Sequence, residues 1–152
     1  LHEVEQFGLQ SGNTTVRTEM SHQELETLLS RTPFVQQYGF RLQSVEPGKC
    51  TLHFPVKESF LRPDGIVSGP VLMAAADVAM WVAIVSSLGK NATAAVTTEM
   101  KTNFLSAARR EDFRCTAKVI KTGSRLIFGT AECVADDGRL LAHHTLTYIR
   151  PA

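Results

Sequence analysis

The sequence predicts an α+β domain in which an antiparallel sheet wraps one long central helix. Two observations carry that prediction. Residues 71–85 form an almost wholly apolar run whose apolar residues occupy every helical face, the mark of a helix buried all round or set in a membrane. The residues after it alternate and turn as hairpin strands do, and such strands need a core to pack on. With 152 residues, 43% of them hydrophobic and 20% charged, the chain holds one ordinary core, and its composition excludes disordered and fibrous classes.

In order, residues 1–20 lack a sustained period and read as a tail or arm, followed by the domain proper over residues 21–152. Ser21 and Glu24 have capping-box spacing ahead of Leu25, Leu28 and Leu29, so a short amphipathic helix should start there and end before Pro33. From Phe34 to Val56 the pattern reads as strand, with Phe40, Leu42 and Val45, a turn at Glu46-Pro47-Gly48, then Cys50, Leu52 and Phe54 at period two. Phe60 to Gly65 is a loop that delivers the chain to the long helix. That helix should run from about Gly69 to Leu88, with Ser68 as N-cap, Pro70 in the first turn and Gly89 as the stop.

The strands come last. Ala94 to Leu105 alternates Val96, Thr98, Met100, Thr102 and Phe104 against Thr97, Glu99, Lys101 and Asn103, as a half-buried antiparallel strand does. Phe113–Lys121 and Leu126–Val134 should form a hairpin about Thr122-Gly123-Ser124, and Asp136-Asp137-Gly138 turns the chain into Leu140–Ile149. Because amphipathic strands follow the apolar helix and Asp77 sits in its middle, the core-helix reading is preferred to a membrane span.

Sixteen basic against fifteen acidic residues leave a formal charge of +1, so no global field points to nucleic acid or to a membrane surface. Any anionic ligand must be held locally. Cys50, Cys115 and Cys133 are widely spaced among β-forming neighbours and are expected to be buried, reduced and structural, which favours the cytoplasm. No basic segment leads into an apolar one near the start, so no signal peptide is read, and the initial Leu suggests processing or truncation. The five histidines show no metal-ligand spacing, and His143 and His144, adjacent on a strand, should face opposite ways.

Asp77 is the chemical anomaly. A carboxylate within an apolar helix costs several kcal/mol if it is charged and unpaired (roughly 3–5 when a partner is missing), so a neighbouring group must accommodate it. It shares a helical face with Met73, Ala74, Trp81 and Ile84. Upstream, Gly69 stands where helix amides are unpaired and the dipole is positive, and its bare N–H can reach a carbonyl oxygen. An aspartate near such an amide suits activation of water or direct attack on an acyl group. Ser68 is not in a nucleophile-elbow motif. Met73, Met80 and Trp81 point to an apolar pocket.

These residues resemble the hotdog-fold acyl-CoA thioesterases, in particular the subgroup of the phenylacetate-pathway thioesterase and the human thioesterase superfamily members. The family pattern is Asn, then G-x-x-H-G-G, then an apolar helix with Asp or Glu nine positions after the His, then a strand of the type A-V-[ST]-x-x-M-x-x-x-[FY]-L. Here it is matched by Gly65, Gly69, Asp77 and the strand from Ala95 through Val96, Thr97, Met100 and Phe104 to Leu105, within a resemblance covering about 34–149. Ser68 stands for the His, Pro70 for the second Gly and Arg62 for the Asn; Ser-Gly-Pro resembles a bacterial variant of the subgroup.

The resemblance implies a homodimer, or a dimer of dimers, with active sites at its interface, hydrolysing an acyl-CoA substrate with no cofactor other than that CoA and no metal. Asp77 would be base or nucleophile, the Gly69 amide would polarise the thioester carbonyl, and Thr97 would help hold the water. Arg62 and Ser68 would lie at the substrate, Met73 and Trp81 along its acyl part, and Lys121 and Arg125 near the CoA phosphates. Hotdog hydratases carry a His five residues after their Asp; position 82 here is Val, which argues against enoyl-CoA hydration. A non-catalytic acyl-CoA-binding protein of the same fold is the alternative, favoured by Pro70 and by the absent His and Asn.

Overall fold

The computed structural model describes residues 17–152. The expected arm falls mostly outside the described residues. Its last part is anchored: Met20 is buried and the Glu19 N–H donates to the Ser86 carbonyl at 2.8 Å. Helix α1 (His22–Ser30) opens with the capping box, the Ser21 hydroxyl accepting from the Glu24 N–H and the Glu24 carboxylate accepting from the Ser21 N–H.

The strand reading from Phe34 is corrected at its start. Pro33–Tyr38 is a short helix, α2, with Pro33 in its first turn and Gly39 left-handed (φ 72°) at its end. A proline suits a first turn and a glycine suits a left-handed cap, and these two outweigh the β preference of Phe34, Val35 and Tyr38. Strands β1 (Arg41–Glu46) and β2 (Lys49–Phe54) then form the expected hairpin about Gly48.

Helix α3 spans Gly69–Leu88 and ends at Gly89, whose N–H still bonds to the Val85 carbonyl. Among the described residues it is the one helix long and apolar enough to cross a membrane, yet it is the core helix. Val78, Val82, Ala83, Ile84 and Val85 are buried against the sheet, where full burial of each valine or isoleucine stabilises by about 1.5–3 kcal/mol. Ser86 fastens its far end, accepting from the Gly48 N–H and donating to carbonyls of Glu46 and Ala83. One stripe is left uncovered by the sheet: Pro70, Met73, Ala74, Asp77 and Trp81 keep exposed surface, although every face of the helix reads as apolar but for Asp77.

Strands β3 (Val96–Phe104), β4 (Phe113–Thr122), β5 (Leu126–Ala135) and β6 (Leu140–Ile149) complete one six-stranded antiparallel sheet, in the order β1-β2-β4-β5-β6-β3. This is the hotdog arrangement. Strand β3 does not continue into a hairpin with β4 but crosses to the far edge, beside β6. There its outer edge is unpaired, with Val96 and Phe104 each more than half exposed (58% and 54%). The three cysteines are buried and free, and Cys115 and Cys133 stand directly opposite each other on β4 and β5. Burial pushes the Cys50 thiol up to about 12 and that of Cys115 well above its usual range.

Candidate active site

Strand β3 corrects the side to which one candidate points. Simple alternation puts Thr97 opposite in face to Met100, Thr102 and Phe104. The pairing register slips between Thr97 and Glu99, so that Thr97, Met100, Thr102 and Phe104 stand against Tyr148, Leu146, His144 and Ala142, inward positions of β6. Residues directly opposite on antiparallel strands share a face, so the extra residue, Thr98, turns Thr97 toward the helix. Bulges re-aim side chains in this way.

Two hydroxyls thereby meet the carboxylate. Thr97 Oγ1 donates to Asp77 Oδ1 at 2.5 Å, and Tyr148 Oη approaches the same Oδ1 at 2.6 Å and the Asp77 backbone carbonyl at 2.8 Å. Burial first, and then the adjacent Asp77 charge, push the Tyr148 phenol well above its ordinary range, so it keeps its proton and acts as donor. Sequence reasoning missed Tyr148. Its signal was present: an aromatic hydroxyl at an inward position of β6 needs a buried acceptor, and the core helix carries one unpartnered carboxylate.

Asp77 is half-buried and opens on a cavity of about 390 Å³, lined by Thr32, Phe34, Val78, Trp81, Val96, Thr97 and Tyr148, among others. The Trp81 indole N–H donates to the Thr93 carbonyl at 3.1 Å, which fixes the ring in the wall. Ile84, placed by spacing on the same face, is fully buried and does not reach this cavity.

Gly69 lies at the other end of the stripe, in a separate cavity of about 460 Å³ whose walls include Arg62, Leu72, Phe104 and Ala108. It is the first residue of α3, and among the described residues its N–H makes no hydrogen bond. The Phe104 ring covers its Cα closely: a methyl group there would meet Cζ at 3.0 Å and Cε1 at 3.1 Å. Ser68 occupies the N-cap position with extended backbone, but its hydroxyl makes no capping bond. Eight residues of helix put about 12 Å of axial rise between Gly69 and Asp77.

Of the remaining candidates, Arg62 alone lines one of these two cavities. Arg62 reaches the Gly69 cavity and pairs with Asp64 at 3.4 Å. Met73 is exposed on the stripe, between the two cavities. Lys121 and Arg125 stay exposed at the β4–β5 turn, Arg125 donating to the Arg150 carbonyl at 3.3 Å, and line neither cavity. As the parity of β6 requires, His143 and His144 face opposite ways; His144 is buried, with Nδ1 2.8 Å from the Thr102 hydroxyl.

Comparison with known proteins adds an independent line. A family model described as the thioesterase superfamily matches residues 64–142, just over half the chain and all of α3, β3 and β5. A Saccharolobus solfataricus protein named as a candidate esterase is 32% identical over 97 residues, 64% of this chain and 68% of the relative. Solved structures share the fold, two among them as follows. The Escherichia coli PaaI protein from the phenylacetic acid degradation operon has a TM-score of 0.75 at 20% identity, covering 86% of this chain and 92% of that one. A hypothetical thioesterase from Streptococcus pneumoniae with coenzyme A has a TM-score of 0.68 at 19% identity, covering 74% and 86%.

Proposed function

The chain belongs to the thioesterase superfamily, and we propose that within it this protein hydrolyses an acyl-CoA thioester to the free acid and CoA. One observation carries the reading: the carboxylate of α3 is held by two hydroxyls at the wall of a largely apolar cavity. An aspartate kept there has a use as a base.

In the proposed reaction Asp77 removes a proton from water while the water oxygen attacks the thioester carbonyl carbon. The carbonyl electron pair passes to oxygen, where the free Gly69 N–H of a helix N-terminus stabilises it. On collapse the C–S bond breaks and the CoA thiolate takes the proton back from Asp77. No cofactor or metal takes part in these steps.

Gly69 and Asp77 of one chain open into different cavities, and about 12 Å of helix lies between them. One carbonyl and one water do not bridge that span, so a site combines Gly69 of one protomer with Asp77 of its partner. The uncovered stripe of α3 and the unpaired edge of β3, with Val96 and Phe104, supply an apolar surface for that homodimer. Trp81, Phe34 and Met73 would flank the acyl group. Arg62, Lys121 and Arg125 would serve as cations for the CoA phosphates, a reading supported by the CoA held by the Streptococcus pneumoniae protein. Three unpaired thiols support a reducing, cytoplasmic setting.

The test is thiol release from a panel of acyl-CoAs by wild type and Asp77→Asn. Loss of about 10²-fold or more fits removal of a general base. Equal rates would refute it, and saturable CoA-ester binding without turnover by the wild type would make the protein a binder.

A further inference from the structure

We propose that Tyr148 is a positioning residue for this reaction: with Thr97 it pins one oxygen of the Asp77 carboxylate, leaving the other, Oδ2, as the atom that takes the proton from water. The inference rests on the thioesterase reading above and assigns a role to a residue that the sequence did not single out.

The geometry is asymmetric. Both side-chain hydrogen bonds to Asp77 end on Oδ1, at 2.5 Å and 2.6 Å, and among the described residues Oδ2 has none. No buried side-chain oxygen among the described residues lacks a partner, so Oδ2 keeps accessible surface, on a residue that lines the cavity. A carboxylate with one oxygen doubly held cannot turn about its Cβ–Cγ bond without breaking both bonds. Hydrogen bonds to a charged group are the stronger kind.

The two hydroxyls are themselves fixed by the sheet. Tyr148 and Thr97 are direct partners across β6 and β3, and Tyr148 is only 3% exposed. Its hydroxyl also reaches the Asp77 backbone carbonyl, which ties the ring to the helix turn that carries the carboxylate. The hydroxyl is spent on Asp77, so its effect on the reaction passes through that carboxylate. Thr97 takes part in the same clamp: its proton is committed to Oδ1, and the water is left to Oδ2.

A positioning role and a merely structural one part in the kinetics. Tyr148→Phe removes a single oxygen and keeps the ring. It is expected to lower kcat about 10- to 100-fold, the worth of a hydrogen bond to a charged group, with KM changed less than about twofold. Thr97→Val should act alike and Thr97→Ser should restore the rate. That pair tests the clamp even if Tyr148→Phe folds poorly. Added to Asp77→Asn, Tyr148→Phe should cost nothing further, within about twofold, because the two act as a unit.

A Tyr148→Phe enzyme with wild-type kcat, whatever its melting temperature, would overturn the role while leaving the thioesterase reading intact. So would an equal loss from Tyr148→Phe in the wild-type and Asp77→Asn backgrounds. A wild type that turns over no acyl-CoA would overturn both.

Discussion

The two ends of the exposed stripe on α3 are built by opposite means. At Gly69 the group left free beside a cavity is a backbone N–H, and what leaves it free is subtraction: no side chain on Gly69, no proton on the nitrogen of Pro70, no capping bond from Ser68. At Asp77 the group is a side chain, and it is available by addition, since hydroxyls from β3 and β6 must arrive at one of its oxygens. The free amide of the first end belongs to the helix terminus itself, although Phe104 of β3 walls its cavity. The second depends on the whole sheet closing round that helix.

That contrast predicts how the ends fail, and the largest effect comes from separating them between chains. Gly69→Val should silence the amide end and Asp77→Asn the carboxylate end, each by about 10²-fold. Mixed after co-refolding, the two dead variants should regain activity, to about a quarter of wild type for random two-fold dimers, because each hybrid holds one intact pairing. No recovery in hybrids of confirmed composition would place both groups in one chain and remove the composite site.

A smaller effect isolates space from chemistry at the amide end. The added methyl of Gly69→Ala meets the tip of the Phe104 ring at 3.0 Å, and a side-chain tip need shift only a few tenths of an ångström to clear it. Folding should therefore be little changed, while kcat/KM falls about 10-fold as methyl and displaced ring crowd the substrate oxygen. Gly69→Ala with Phe104→Ala should recover part of the loss. Steady-state kinetics beside a melting curve decide it; a large drop in melting temperature with unchanged kinetics would refute a role for the Gly69 amide at the substrate oxygen.

The same contrast explains what was legible in the chain. The bounds of α3, and so the places of Gly69 and Asp77 on it, could be read because they depend on local chemistry: a glycine after Ser68, an apolar run, a terminal Gly89. The capping box of Ser21 and Glu24 was legible for the same reason. Thr97's inward turn was not, because strict alternation assumes an unbroken ladder and the register slip is a property of two strands together. Tyr148 was hidden similarly: its acceptor lies 71 positions away, and only the sheet order that sets β6 between β5 and β3 brings it over α3. Helix α2 was missed although both its signals, Pro33 and Gly39, were local; Phe34, Val35 and Tyr38 drew the reading toward strand.

The smallest expected effect tests whether Ser68 belongs to either end. A serine that caps a helix through its side chain contributes about 1 kcal/mol, lost on change to alanine. Here the hydroxyl makes no such bond, while the backbone of Ser68 is held independently, its N–H donating to the Phe60 carbonyl at 2.8 Å and its carbonyl accepting from Val71 at 3.0 Å. Ser68→Ala should therefore cost less than about 0.5 kcal/mol in chemical denaturation, below a working cap. Its effect on turnover then reports chemistry alone. If the amide end works by subtraction, removing one more polar atom leaves kcat within about twofold; a tenfold fall with unchanged stability would show that the hydroxyl touches the substrate and that the amide does not act by itself.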